Sequence, residues 1–200
     1  MSHFKLDWIE KYCEKPQVLF DIGSFDGKQA KIFKQNFPNA LVAAFEADKN
    51  LFQKMSKNEK LNGIILENKA ITDVDGELIF WSNTGKKRGS GSLHKPKKEI
   101  YKFDGMSFDE GNHVSCCRID TFCESRKIYN IDVIHMDIQS AEYEALVGLG
   151  KIRPRLIFLE VSALNFYENT KSTTNLLIQM NYEKIDISEI TKGDELWIKK

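Results

Sequence analysis

Four carboxylates stand where apolar runs end: Asp21, Glu46, Asp137 and Glu160. Asp21 is followed by a glycine turn, Gly23-Ser24-Phe25-Asp26-Gly27, and a helical pattern starts at Lys28. A strand, a glycine turn and a helix make a nucleotide-binding geometry, since glycine permits close backbone approach and a helix N-terminus offers unpaired N–H groups. Spacing decides which nucleotide. The dinucleotide fingerprint G-x-G-x-x-G would fall on Gly23, Phe25 and Lys28, so two glycines are missing. The phosphate loop G-x-x-x-x-G-K-[ST] would need glycine at Ile22 and a hydroxyl at Gln29, and both fail. What fits is D-x-G-x-x-x-G, on Asp21, Gly23 and Gly27. Glu46 ends the next apolar run at the distance where a carboxylate holds a ribose. The bland alternatives are a ligand-free turn and an acid that stabilises the dipole of a helix N-terminus, a part Asp48 could equally play.

His135 and Asp137 are two apart on another apolar run and so share one strand face. Asp137 is the first candidate for a general base acting on a hydroxyl, and His135 the second, because an ordinary imidazole titrates near neutrality. The alternatives are packing for His135 and a purely cofactor-anchoring carboxylate for Asp137.

The elements that position these groups read as an alternation. Val18–Ile22, 40–45, 63–68, 131–138 and 155–161 are apolar enough for buried parallel strands. Helical spacing covers 4–14, 28–37, 48–62, 120–127 (capped by Asp120), 140–148 (capped by Ser140) and 172–180. Weaker strands fall at 77–81 and 114–119, and strands at 182–187 and 196–199 close the chain. This alternation predicts an α/β fold, a single Rossmann-like domain with a mostly parallel, doubly wound sheet. About seven strands are expected, the last antiparallel, with a small β insertion between the third and fourth. Ligands in such sheets sit outside the carboxyl ends of the strands, where the four acids lie. Within one domain over 1–200, the expected parts are an N-terminal helix (1–16), a cofactor-binding half (17–82), a variable loop and strand region (83–118) and the second half of the sheet (119–200).

Residues 84–98 differ from the rest. They hold Gly85, Gly89, Gly91, Ser90 and Ser92 among Lys86, Lys87, Arg88, Lys95, Lys97 and Lys98. They read as a mobile loop, either capturing an anionic substrate or covering the site, or merely solvated.

Composition narrows the classes. Lys+Arg and Asp+Glu are both 29 in 200 residues, so no general field attracts nucleic acid, and no interleaved aromatic and basic surface is evident. No apolar run approaches the ~20 residues of a membrane helix, and the N-terminus is unlike a signal peptide. A cytoplasmic protein is expected, with Cys13, Cys116, Cys117 and Cys123 as reduced thiols. His113 and these cysteines lack C-x-x-C spacing, so no metal is expected.

The chain resembles the FkbM family of S-adenosylmethionine-dependent methyltransferases from about Val18 to Ala163. The resemblance rests on Phe20-Asp21-Ile22-Gly23 with Gly27, Phe45-Glu46, Asn68-Lys69-Ala70-Ile71 with Asp75-Gly76, Ile119-Asp120, Leu149-Gly150 and Leu159-Glu160. Its most specific part is the family pattern K-x-D-x-E-G-x-E, which here reads His135-Met136-Asp137-Ile138-Gln139-Ser140-Ala141-Glu142. Asp137 and Glu142 are kept, while His135 replaces lysine and Gln139-Ser140 replaces Glu-Gly. The resemblance implies O-methylation of a hydroxyl on a sugar, glycan or other small molecule, with S-adenosyl-L-methionine as donor. It assigns cofactor contacts to Asp21, Gly23, Ser24, Phe25, Asp26, Gly27, Glu46, Ala47, Lys69, Ala70 and Asp137. A non-catalytic binding module and a nucleic-acid methyltransferase are the competing expectations.

Overall fold

The computed structural model describes residues 4–86, 88–161, 164–186 and 193–200. Its strands are β1 (Val18–Ile22), β2 (Leu41–Phe45), β3 (Ile65–Glu67), β4 (Ala70–Ile71), β5 (Gly76–Phe80), β6 (Asn112–Cys117), β7 (Val133–Met136), β8 (Leu156–Glu160), β9 (Tyr182–Ile185) and β10 (Asp194–Lys199). Helices are α1 (Leu6–Tyr12), α2 (Lys28–Asn36), α3 (Lys49–Ser56), α4 (Ile119–Ser125), α5 (Glu142–Val147) and α6 (Thr174–Gln179). Lys87, Ala163 and Ile187, which the sequence reading drew into a loop, a family match and a strand, lie outside the described residues.

Seven strands form one sheet in the order β3-β2-β1-β7-β8-β10-β9. Every pair from β3 to β8 is parallel, and β10 runs antiparallel to both β8 and β9. The strand order reverses between β1 and β7, which is where such sheets open a crevice. β4, β6 and β5 make a second, small sheet inserted between β3 and β7. The fold is therefore the expected one.

Strand alternation divides the core in two. Phe20, Ile22, Ala43 and Phe45 pack with Phe122 of α4, Leu146 of α5 and Leu177 of α6. Leu19, Val42 and Ala44 pack on the other face with Trp8 and Ile9 of α1 and Ala30 and Phe33 of α2. Full burial of such side chains is worth roughly 1.5–3 kcal/mol each, so both faces are firmly covered. No helix among the described residues is long and apolar enough to cross a membrane.

Several ends differ from expectation, for local reasons. The helix expected over 48–62 stops at Ser56, and Asn58 then caps a short 3₁₀ turn over Glu59–Leu61. Neither expected cap forms at α4 or α5. Asp120 pairs with Arg118 instead, at 2.7 Å. Ser140 adopts φ +87°, and its hydroxyl is buried without a partner.

Candidate active site

The site begins at the turn after β1. The Gly23 and Ser24 N–H groups both donate to the Phe45 carbonyl, at 3.0 and 2.9 Å, so the turn is pinned to the end of β2. Gly23 has φ +81°, and a Cβ there would lie 1.9 Å from the Asp137 carbonyl oxygen. Only glycine lets the chain after β1 pass this close to the end of β7. Gly27, at φ +76°, takes a left-handed conformation that side chains rarely adopt, and a Cβ there would press on the Leu61 side chain. Ser24 Oγ donates to the Asp21 carbonyl, and Asp26 accepts from Lys28 N.

Glu46 closes this turn from the side. Its Oε2 accepts from Phe25 N and its Oε1 from Asp48 N, each at 2.8 Å. Burial raises its pKa to about 7, and the two backbone N–H bonds hold it from rising further. Asp48, not Glu46, caps α3, accepting from Asn50 N and Leu51 N.

A second layer lies beneath. Asp21 and His135 are register partners on β1 and β7, and Phe158 is the partner of His135 on β8. Asp21 Oδ1 is 2.8 Å from His135 Nδ1, and Asp21 Oδ2 accepts from Ala30 N at 3.0 Å. The imidazole stacks on Phe158 with a 5° interplanar angle, and Phe4 meets it edge-on at 5.8 Å. Asp21 is fully buried. It thus works inward, fixing α2 and the histidine ring.

Asp137 sits just beyond β7, its N–H continuing the ladder to the Ile22 carbonyl. Burial and the neighbouring Glu160 carboxylate raise its pKa to about 8, against the opposing pull of the Gln139 amide and His135. Gln139 Nε2 donates to Asp137 Oδ1 at 2.6 Å. Gln139 and Ser140 both take positive φ, +54° and +87°, so the chain reverses sharply here. Glu142 holds the reversal, its Oε1 accepting from Ile138 N and Ser140 N at 3.2 Å each. Its Oε2 is buried without a partner, and burial raises its pKa to about 7.

These groups line a cavity of about 530 Å³. Asp21, Gly23, Ser24, Phe25, Asp26, Glu46, Ala47, Lys69, Ala70, His135 and Asp137 all reach it, as does Glu160. Gly27 does not, and serves instead as the residue before α2. Residues 84–98 form the opposite wall through Lys86, Arg88, Gly89, Ser90, Gly91 and Leu93. This loop is tied down at three points. Ser92 pairs with Trp81 through backbone N–H groups in both directions, Ser92 Oγ donates to the Gln139 carbonyl at 2.7 Å, and Tyr167 OH donates to the Ser90 carbonyl at 2.6 Å. Sequence reasoning missed Phe4, Gln139 as a hydrogen-bond donor to Asp137, and the Ser92 and Tyr167 anchors. An apolar residue just before α1 was a faint signal for Phe4, while the anchors depend on tertiary contacts with no local signature.

The sheet order and the strand-end cavity define a class I methyltransferase architecture. Solved structures share it, among them a Staphylococcus aureus protein provisionally named a caffeoyl-CoA O-methyltransferase. That structure has TM-score 0.52 at 12% identity, over 97% of this chain and 80% of that one. A fibrillarin/Nop5p complex gives TM-score 0.50 at 12% identity, over 94% and 74%. The methyltransferase FkbM domain matches residues 21–185, and the chain belongs to that family. The 2-O-methyltransferase NoeI of Sinorhizobium fredii is 33% identical over 170 residues, covering 80% of this chain and 70% of NoeI.

Proposed function

We propose that this methyltransferase moves a methyl group from S-adenosylmethionine to a hydroxyl of a sugar, glycan or other small molecule, with Asp137 as general base. The cavity fits the donor. Glu46 spends one lone pair of each oxygen on a backbone N–H and retains others for the two ribose hydroxyls. Phe45, Leu51 and Ile71 give an apolar wall for a purine. Glu160 offers a carboxylate to a cationic centre. When bound, S-adenosylmethionine supplies a methyl carbon already made electrophilic by its sulfonium.

What remains for the protein is placement and a proton. Asp137 faces the cavity beside the glycine turn, and its raised pKa of about 8 makes its ionised form a stronger base than an ordinary carboxylate. Gln139 fixes its Oδ1. His135, held by Asp21 and stacked on Phe158, acts as a positioning residue beneath it. The observation that carries this reading is a raised-pKa carboxylate at the sheet's switch point, in the same cavity as the Glu46 turn. A hydroxyl acceptor is supported by NoeI, whose name specifies 2-O-methylation.

Calorimetry with S-adenosylmethionine and S-adenosylhomocysteine, followed by labelled-methyl transfer to sugars and nucleotide sugars, tests the reading. Binding and transfer are expected. Binding of NAD alone would sink it, and cofactor binding without transfer to any acceptor would favour a non-catalytic module.

A further inference from the structure

The cavity has two chemically different walls. Away from the 84–98 loop, six carboxylates line it, Asp137 and Glu160 among them, against two lysines, Lys28 and Lys69. The 84–98 loop contributes two charged side chains, Lys86 and Arg88, and both are cations. Neither makes an ion pair or hydrogen bond with any described residue, and both are exposed at the cavity rim. Long basic side chains on a solvated loop would ordinarily point to water and carry no meaning. This loop is different, because it is anchored on both limbs. The Thr84 and Gly85 N–H groups donate to the Ser107 carbonyl at 2.6 and 3.3 Å, and beyond the cations the Ser90 carbonyl and the Ser92 hydroxyl are both bonded to other elements. The anchors hold two positive charges, unpaired among the described residues, over a cavity whose donor side carries more carboxylates than lysines.

An electropositive rim over that cavity suits a second, anionic ligand. Resting on the methyltransferase reading above, we infer that the acceptor carries a negatively charged group, phosphoryl or carboxylate, which Lys86 and Arg88 grip while its hydroxyl faces Asp137. Arg88 can meet an oxyanion with two parallel N–H bonds, and Lys86 adds a point charge. The acceptor class is therefore an acidic or phosphorylated saccharide.

The test uses the full chain saturated with S-adenosylhomocysteine, titrated at low salt with five probes. These are inorganic phosphate, acetate, glucose 1-phosphate, glucuronate and methyl glucoside. At least one anionic probe should bind more tightly than methyl glucoside, and the phosphate and carboxylate arms show which anion is preferred. In Lys86→Gln/Arg88→Gln that affinity should fall roughly tenfold or more, the loss of about one charge-assisted contact, and added salt should weaken it in the parent protein. Affinity for S-adenosylhomocysteine should stay within about twofold. Both side chains are exposed, so the variant keeps its fold. The inference is overturned if no anionic probe outbinds methyl glucoside, or if the double variant loses S-adenosylhomocysteine instead, which would assign the cations to the donor. Failure of the parent protein to bind S-adenosylhomocysteine at all would count against the methyltransferase reading itself, a separate result.

Discussion

Asp21 Oδ1 lies 2.8 Å from His135 Nδ1, across two strands paired in register at the centre of the sheet. The acid that opens the glycine-turn motif is therefore fully buried and braces the site through both its oxygens. Its second oxygen holds the Ala30 N–H of α2. Asp21→Ala removes the acceptor of the buried Ala30 N–H and the partner of the His135 ring, and each buried polar group left without its partner costs roughly 1–3 kcal/mol. A fall of many degrees in Tm is expected, with a smaller one for Asp21→Asn, which keeps an acceptor. An unchanged melting temperature for Asp21→Ala would refute the bracing role.

Glu46 has two duties, and both can be read in one set of variants. Glu46→Ala removes the acceptor of two backbone N–H groups, so both stability and cofactor binding suffer. Stability should drop by about 1–3 kcal/mol, and the S-adenosylhomocysteine Kd should rise roughly tenfold or more. Glu46→Gln keeps one acceptor oxygen and should fall between. Denaturant melts beside calorimetry read both. If cofactor affinity is unchanged in a folded Glu46→Ala, the ribose assignment is lost.

The glycine turn and the main parallel strands were legible because buried strands are continuous apolar runs and the turn needs glycine for steric reasons visible in one residue type. The reversal after β7 was not. Ser140 reads as a helix cap, yet the chain there takes φ +87°, and Glu142 instead holds the reversal by accepting from the Ile138 and Ser140 N–H groups ahead of the helix. Likewise the composition of 84–98 reads as a mobile loop, whereas its anchors come from Gln139 and Tyr167, far along the chain.

Ser140→Gly follows from that reversal. Glycine removes the cost of a left-handed serine, roughly 1–2 kcal/mol, and also removes a buried hydroxyl with no partner. Greater freedom of the unfolded chain offsets part of this. A net gain of about 1 kcal/mol in chemical denaturation is expected. Loss of stability would mean the hydroxyl does something the geometry does not reveal.

Glu142 makes stability depend on pH. Its folded pKa, about 7, lies above the ordinary 4.5, so the folded state keeps the proton longer than the unfolded state. The contribution is fully present below pH 4.5, and it declines as pH rises to about 7. Glu142→Gln retains the acceptor for Ile138 and Ser140 and cannot ionise. Its stability relative to the parent should rise across that window, by at most a few kcal/mol. Parallel melting curves against pH for the two proteins would contradict this.

Asp137 is the centre of the account. A base with pKa raised to about 8 is protonated below it, so kcat/KM for methyl transfer should climb with pH and level off above about 8. The deciding measurement is labelled-methyl transfer by the parent and Asp137→Asn, with S-adenosylhomocysteine affinity measured alongside. In Asp137→Asn, transfer should fall roughly 10²–10⁴-fold, with the rise near pH 8 abolished and cofactor affinity nearly unchanged. Transfer by Asp137→Asn at the parent rate, with the same pH profile, would contradict it.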